Sequence, residues 1–132
     1  MVFQLSTSLR NNMLDQISSS VGASGILKIF TGAAPANVAA ADSGTLLVSL
    51  TCNATFAPAA AGGILTLNSI SSANAVASGS AGYFRLYQSN GTTCVSQGSV
   101  GTSGADLNII STNITNTQPV QIDSWIITAP GA

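Results

Sequence analysis

The sequence contains no histidine and no glutamate. Its charged residues are one lysine, two arginines and four aspartates. Without histidine, the chain lacks the usual general base near neutral pH and cannot form a Ser-His-Asp or Cys-His arrangement. The carboxylates are scattered along the sequence, at Asp15, Asp42, Asp106 and Asp123. We therefore expect a protein that is not an enzyme and has no catalytic residues.

Motifs for metals and cofactors are also missing. Cys52 and Cys94 do not make a zinc site without histidine, and in a protein made in a cytoplasm the expected state is two free thiols. Asp106 and Asn108 could offer oxygens to calcium, but the spacing of an EF-hand is absent and turn hydrogen bonds are the expected role. Residues 101–108, GTSGADLN, lack the lysine of a phosphate-binding loop. No metal and no cofactor are expected.

Charge is scarce throughout the chain. Charged residues make up 5% of the sequence, against roughly 25% in an ordinary soluble protein. A net charge of −1 gives no positive field to attract nucleic acid and little protection against self-association. The first ten residues do not have the pattern of a signal peptide, and no apolar run reaches the ~18 residues that span a bilayer. We expect cytoplasmic synthesis, no contact with nucleic acid or membrane, and a surface suited to a packed assembly.

Residues 6–21 predict one amphipathic helix. Ser6, Thr7 or Ser8 can cap its first turn, and Gly22 can end it in a left-handed conformation. The apolar residues follow an i+4 spacing, with one more beside them: Leu9, Met13, Ile17 and Val21, and Leu14. These side chains are expected to form the buried face of the helix.

From Gly25 onward the apolar period changes to two, which is typical of β-strands. We expect one domain over residues 1–132, with an N-terminal lead and helix at 1–22 and an antiparallel β-sandwich or jelly roll at 25–129. The expected strands are Ile26–Thr31, Thr45–Cys52, Gly63–Ile70, Gly82–Ser89, Thr92–Val100, Asp106–Ser111 and Val120–Thr128, with an extra edge pairing near Ala73–Ala77 or at the lead.

The sequence YFRLYQSNGTTCVSQG, residues 83–98, predicts a hairpin around Asn90 and Gly91, because these residues tolerate the positive φ angles of a two-residue turn. With this turn, Tyr87 lies opposite Cys94, Leu86 opposite Val95, Arg85 opposite Ser96 and Phe84 opposite Gln97.

The predicted hairpin separates its side chains into two faces. Phe84, Leu86 and Val95 form the core face, while Tyr83, Arg85, Tyr87 and Cys94 lie on the other. Tyrosine and arginine are enriched at protein interfaces. One interpretation makes Tyr83, Arg85 and Tyr87 an interface, and the other covers both faces within one subunit and pairs Arg85 with an aspartate.

Trp125 and Ile127 share a face of the last predicted strand. Such residues more often pack in the core or against another subunit than bind a ligand. Trp125 therefore joins Tyr83, Arg85 and Tyr87 as a candidate interface residue.

Three segments taken in order resemble a group of small structural proteins from tailed bacteriophages. They are spread over residues 6–109, and none of them carries a catalytic motif. The segments are STSLRNNMLDQI, LKIFTGAAPANVAAADSGTLLVSL and GYFRLYQSNGTTCVSQGSVGTSGADLNI.

This resemblance implies a virion component, namely a decoration or cement protein that forms homotrimers on the outer capsid and binds the major capsid protein. The N-terminal helix or lead would anchor it to the shell, and Tyr83, Arg85 and Tyr87 would support subunit or lattice contacts. Two alternatives remain open. One is a tail or baseplate component, and the other is a glycan-binding adhesion module.

Overall fold

The computed structural model describes residues 3–132, so residues 1 and 2 of the predicted lead lie outside the described residues. This part of the chain is mainly β, with one helix, α1 (Thr7–Val21). The strands are β1 (Ile26–Thr31), β2 (Leu46–Thr51), β3 (Ile64–Thr66), β4 (Ala73–Asn74), β5 (Gly79–Tyr87), β6 (Cys94–Gly101), β7 (Leu107–Asn108), β8 (Asn113–Ile114), β9 (Pro119–Val120) and β10 (Ile126–Thr128).

The predicted helix is confirmed, and of the three candidate N-cap residues it is Ser6 that caps it. The Ser6 hydroxyl accepts a hydrogen bond from the Leu9 backbone N–H at 3.1 Å, which satisfies one free donor of the first turn. Gly22 ends the helix at φ 72°, and its N–H donates to the Ser18 carbonyl. This is a left-handed position that glycine occupies without steric strain.

The predicted buried face of α1 is partly wrong. Leu9 and Met13 are 46% and 41% exposed, whereas Leu14 and Val21 are buried as predicted. The helix instead turns Arg10 inward, where its guanidinium donates to the Ala129 carbonyl at 2.9 Å. Arg10 thus shares the buried side of the helix with Leu14 and Val21, and the i+4 apolar pattern could not reveal this.

Most of the strands form one curled sheet in the order β2-β1-β5-β6-β7, with β8 paired to the start of β5. The pairings are antiparallel except for β6 with β7, which are parallel. Two further pairs, β3 with β10 and β4 with β9, lie outside this sheet. The result is a curled, mixed sheet that resembles half a barrel.

The central strands β1 and β5 give the main sheet two different faces. On the core face, Leu27 lies opposite Leu86 and Ile29 opposite Phe84. These four side chains are buried together with residues from the helix and the smaller sheets. On the other face, which we call the loop face, the pairs are Lys28 with Arg85 and Phe30 with Tyr83. Residues 32–45 between β1 and β2 lie against this second face and accept hydrogen bonds from Arg85 and Tyr83.

The predicted strands match the structure best near the sheet centre. The bounds of β1 are the predicted ones, and β2 is one residue shorter at each end. The predicted strand 63–70 pairs only over β3, and the predicted strand 120–128 is interrupted between β9 and β10. Within that interruption, Trp125 turns inward and its indole N–H donates to the Asp106 carbonyl at 3.0 Å.

The hairpin between β5 and β6 is confirmed, but its predicted two-residue turn and much of its register are wrong. The Asn90 side-chain oxygen accepts from the N–H groups of Thr92 and Thr93, so the loop is four residues long and the Gln88 N–H donates to the Thr93 carbonyl. The pair Tyr87 and Cys94 is as predicted, and a bulge then shifts the register by one. The resulting pairs are Leu86 with Ser96, Arg85 with Gln97 and Phe84 with Gly98.

Gly82 marks the closest approach between β5 and the chain that follows β1. A Cβ atom added at Gly82 would lie 1.9 Å from the Gly32 carbonyl oxygen, which is backbone and cannot rotate away. We expect Gly82→Ala to lower the free energy of unfolding by about 1–3 kcal/mol. Ser80→Ala, at an exposed position of the same strand, is the control. Equal midpoints of urea unfolding for the two variants would contradict this close contact.

Candidate functional site

The residues predicted as an interface are buried within the single chain. Tyr83, Arg85 and Tyr87 are 1%, 2% and 3% exposed, because the 32–45 loop covers the loop face. A partner molecule cannot reach these side chains while the loop is in place. The structure therefore has the arrangement of the second interpretation, in which both faces are covered and Arg85 pairs with an aspartate. As a contact surface, the stripe stays a prediction that requires the loop to move.

Arg85 uses all three nitrogens of its guanidinium to hold the loop. Nη1 forms an ion pair with Asp42 Oδ1 at 2.9 Å and donates to the Ala40 carbonyl at 2.8 Å. Nη2 donates to the Asn37 carbonyl at 3.0 Å, and Nε donates to Gln97 Oε1 at 3.1 Å. A buried guanidinium needs such a full set of acceptors, since each unmade bond would leave its desolvation uncompensated.

Lys28 and Tyr87 complete this arrangement, which we call the Arg85 cluster: Arg85, Asp42, Gln97, Lys28 and Tyr87. The Tyr87 hydroxyl donates to the same Asp42 oxygen that pairs with Arg85. The Lys28 ammonium lies 4.6 Å from the centre of the Tyr87 ring and donates to the Gly91 carbonyl at 3.0 Å. The cluster thus places two cations on neighbouring strands, with one carboxylate and one aromatic ring to stabilise them.

Two further contacts fix the loop on either side of the cluster. The Tyr83 hydroxyl accepts from the Ser43 N–H at 3.0 Å and donates to the Ser43 carbonyl at 2.6 Å. Its ring stacks on Phe30 with centroids 5.0 Å apart. Gln97 Nε2 donates to the Pro35 carbonyl at 2.8 Å. These contacts and the Arg85 cluster therefore attach the loop to the sheet from Pro35 to Ser43.

Burial raises the pKa of Tyr87 and of both cysteines. The pKa of Tyr87 is raised to about 12, mainly by burial and to a smaller extent by the hydrogen bond to Asp42. Burial also raises the pKa of the Cys94 thiol, and it raises that of the buried Cys52 thiol to about 11. Both cysteines are free. Near neutral pH neither thiol is ionised enough to be an activated nucleophile.

Trp125 lies apart from the other three predicted residues. It is 5% exposed and meets Phe84 edge-on, with ring centroids 4.9 Å apart. Phe84 belongs to the core face and its neighbour Arg85 to the loop face, so Trp125 and Arg85 lie on opposite sides of the sheet. The structure brings Tyr83, Arg85 and Tyr87 together and does not join Trp125 to them.

Asp42 and Lys28 are the residues of the cluster to which the sequence assigns no role. The only available signal was that a buried Arg85 needs a carboxylate, and the chain offers four. A two-residue turn predicts Gln97 opposite Phe84, and the bulge in β6 moves it opposite Arg85. The acceptors at Asn37 and Ala40 are backbone carbonyls, which a sequence does not distinguish from any others.

No protein-family model, curated protein or solved structure matches the chain. Within residues 3–132, no three cysteine or aspartate side chains are grouped so that they could hold a metal ion. The helix of this same stretch is not long and apolar enough to cross a membrane. Asp106 and Asn108 make hydrogen bonds within the chain, where Asp106 accepts from the Ser99 N–H and Asn108 from the Ala105 N–H.

The contacts of the Arg85 cluster predict that the stability of the fold depends on Asp42. In Asp42→Asn, Arg85 would stay buried with its charge no longer neutralised, and we expect a loss of about 1–3 kcal/mol in the free energy of unfolding. Asp123→Asn is the control, since Asp123 is exposed and its carboxylate makes no hydrogen bond within the described residues. Urea denaturation measures the stability of both variants. Cys94 lines a cleft together with residues 38–42, so its rate of labelling by a thiol reagent should rise in Asp42→Asn and not in Asp123→Asn. Equal stability and equal labelling in the two variants would show that Asp42 does not hold the loop against the sheet.

The raised pKa of Tyr87 predicts a loss of stability in alkaline solution. Its pKa rises from 10.0 to about 12 on folding, so above pH 10 the unfolded chain releases this proton first. Stability from this group is fully present below pH 10 and is lost as the pH rises toward 12. The slope of unfolding free energy against pH should be less negative in Tyr87→Phe over this window. An unchanged slope would show that Tyr87 ionises equally easily in both states.

Proposed function

We propose that the protein is a non-enzymatic structural component of a tailed-bacteriophage particle, namely a decoration or cement protein on the outer capsid. The resemblance of its three segments to phage structural proteins supports this proposal. Its partners would be other copies of the chain, as a homotrimer, and the major capsid protein. It would be synthesised in the cytoplasm of the bacterial host and would contact neither nucleic acid nor membrane.

The observation that carries the proposal is a set of large apolar side chains exposed on a nearly uncharged surface. Single exposed apolar residues are ordinary, but here they accompany a surface with too few charges to oppose association. Three of them lie together in the sequence at the N-terminal end. The set is Phe3, Leu9, Met13, Val38, Ile64, Val76, Ile110 and Ile126.

The N-terminal segment is the proposed anchor to the shell. Leu9 and Met13 are one turn apart and face outward, because Arg10 and Leu14 occupy the inward side of α1. Phe3, 81% exposed, precedes the same helix. Burying these side chains against capsid subunits would remove apolar area from water without disturbing the fold.

The Arg85 cluster has an indirect part in this function. Tyr83, Arg85 and Tyr87 hold the 32–45 loop, whose exposed residues include Val38 at 40%. The loop would present a fixed surface for subunit or lattice contacts, and Arg85 would be a positioning residue that never touches the partner. A preformed loop costs less conformational entropy on binding than a mobile one.

The finer classification of the fold belongs to the same proposal. The curled sheet would be one layer of a β-sandwich or jelly roll, and the pairs β3–β10 and β4–β9 would contribute to the opposite layer. Residues of both pairs, such as Leu65 and Val120, share the core cluster with residues of the main sheet. This sharing supports the two-layer description.

A cement protein stabilises a shell because it binds assembled subunits better than separated ones. Electron cryo-microscopy of intact particles tests the proposal directly. Trimers on the outer capsid are the expected result. Density only along the tail axis would replace the proposal with a tail or baseplate module, and absence from the particle would overturn both.

The anchor predicts the effect of removing apolar surface from the helix. We expect the double variant Leu9→Ser with Met13→Ser to fold normally, since both side chains are exposed, and to bind particles about tenfold or more weakly. Val76→Ser, at an apolar position 62% exposed, is the matched control. Co-sedimentation with particles stripped of this protein measures the binding. If the double variant bound as well as the control, the helix could not be the anchor.

A further inference from the structure

A cleft of about 440 Å³ lies between the turn after β6 and the segment before β10. It shares no residue with the Arg85 cluster. Its walls carry Asp106, Asn108, Asp123 and Gln121, while the buried Trp125 lines its floor. A second cleft of about 390 Å³ adjoins it and shares Asp106 and Trp125. Both volumes are in the range of small-molecule sites.

Internal hydrogen bonds occupy one side-chain oxygen of Asp106 and the side-chain oxygen of Asn108. Asp106 Oδ2 accepts from the Ser99 N–H at 3.0 Å and from the Ser99 hydroxyl at 3.2 Å. Asn108 Oδ1 accepts from the Ala105 N–H at 3.1 Å. Asp106 Oδ1 and Asn108 Nδ2 make no hydrogen bond within the described residues. The cleft therefore offers one free acceptor and one free donor, two residues apart in sequence.

Contacts with Gly98 and Trp125 fix the position of Asp106. A Cβ atom at Gly98 would lie 2.8 Å from Asp106 Oδ2 and 2.7 Å from a ring carbon of Phe84, so only glycine leaves room for the carboxylate there. The Asp106 carbonyl is held by the indole N–H of Trp125 at 3.0 Å. The carboxylate and the backbone carbonyl of Asp106 are therefore both held in place without a ligand, which lowers the entropic cost of binding.

The charges of the molecule exclude several ligand classes. Arg10 donates to the Ala129 carbonyl, and Lys28 and Arg85 belong to the cluster, so no cationic side chain lines this cleft. Phosphates and other anions would meet the carboxylates of Asp106 and Asp123 with nothing to neutralise them. A ligand that donates hydrogen bonds without carrying negative charge is favoured.

We propose that this cleft binds a neutral pyranose sugar. One hydroxyl would donate to Asp106 Oδ1, and the adjacent hydroxyl would accept from Asn108 Nδ2. Ile110 and Ile126, which are 78% and 53% exposed on the same cleft, would contact the C–H groups of the ring. The adjoining cleft gives room for a second sugar unit. This inference does not depend on the proposed function, because the cleft is formed within one chain.

The chain has one tryptophan, so the indole N–H of Trp125 gives one NMR resonance at the floor of the cleft. The probes are the methyl glycosides of glucose, galactose, mannose and N-acetylglucosamine, each titrated to about 50 mM, well above a ~1 mM dissociation constant. We expect at least one of them to shift this resonance saturably. Absence of a saturable shift with all four would overturn the proposal.

Asn108→Asp tests the donor, because an aspartate oxygen can still accept from Ala105 while the NH₂ group is lost. Affinity for the active sugar should fall about tenfold. Asn53→Asp is the matched control, since Asn53 Oδ1 likewise accepts from a backbone N–H, that of Thr55 at 3.0 Å. Equal loss in both variants would overturn the proposal. So would binding confined to a cationic probe, Nα-acetyl-lysine amide, that strengthens in Asn108→Asp.

Discussion

The fold depends on the burial of the Arg85 guanidinium against the face of its own sheet. At 2% exposure this charge needs an acceptor for each nitrogen, and the sheet supplies only Gln97 from the neighbouring strand. Asp42 and two backbone carbonyls must come from elsewhere, and they come from the 32–45 loop. The loop is thereby held over the sheet without a helix or a second sheet on that side. This requirement explains why a segment of mostly small residues follows a defined path.

The sequence predicted the centre of the sheet well, because alternation of apolar residues is strongest there. The bounds of β1 and the pair Tyr87–Cys94 follow from the period of two and the turn signal. Beyond that pair, the register depends on a bulge in β6, where an extra residue leaves no mark in the pattern of a polar strand. The short pairs at the sheet margins depend on tertiary contacts, as with Trp125, which interrupts a predicted strand to reach Asp106.

The candidate site was predictable as a group of residues but not in its exposure. Period two places Tyr83, Arg85 and Tyr87 on one face, as observed. Whether that face meets water, a partner or the chain itself depends on the loop, whose alanines and glycines carry no periodic signal. The helix shows the same limit. Arg10 is buried and donates to the Ala129 carbonyl, which is distant in sequence, while Leu9 is exposed.

With so few charges, the role of each aspartate indicates how the surface is organised. Asp15 accepts from the Ala60 N–H at 2.8 Å and joins the helix to a loop, while Asp42 neutralises Arg85. Both are used within the fold. Asp106 keeps one oxygen free, and Asp123 makes no hydrogen bond within residues 3–132, yet both line the same cleft. Because the rest of the exposed surface is apolar or neutral, association through it would rely on shape and apolar contact. The negative charge of the free carboxylates is concentrated at this cleft, which shares no residue with the N-terminal anchor, so anchoring and recognition of a small polar ligand would use separate parts of the molecule.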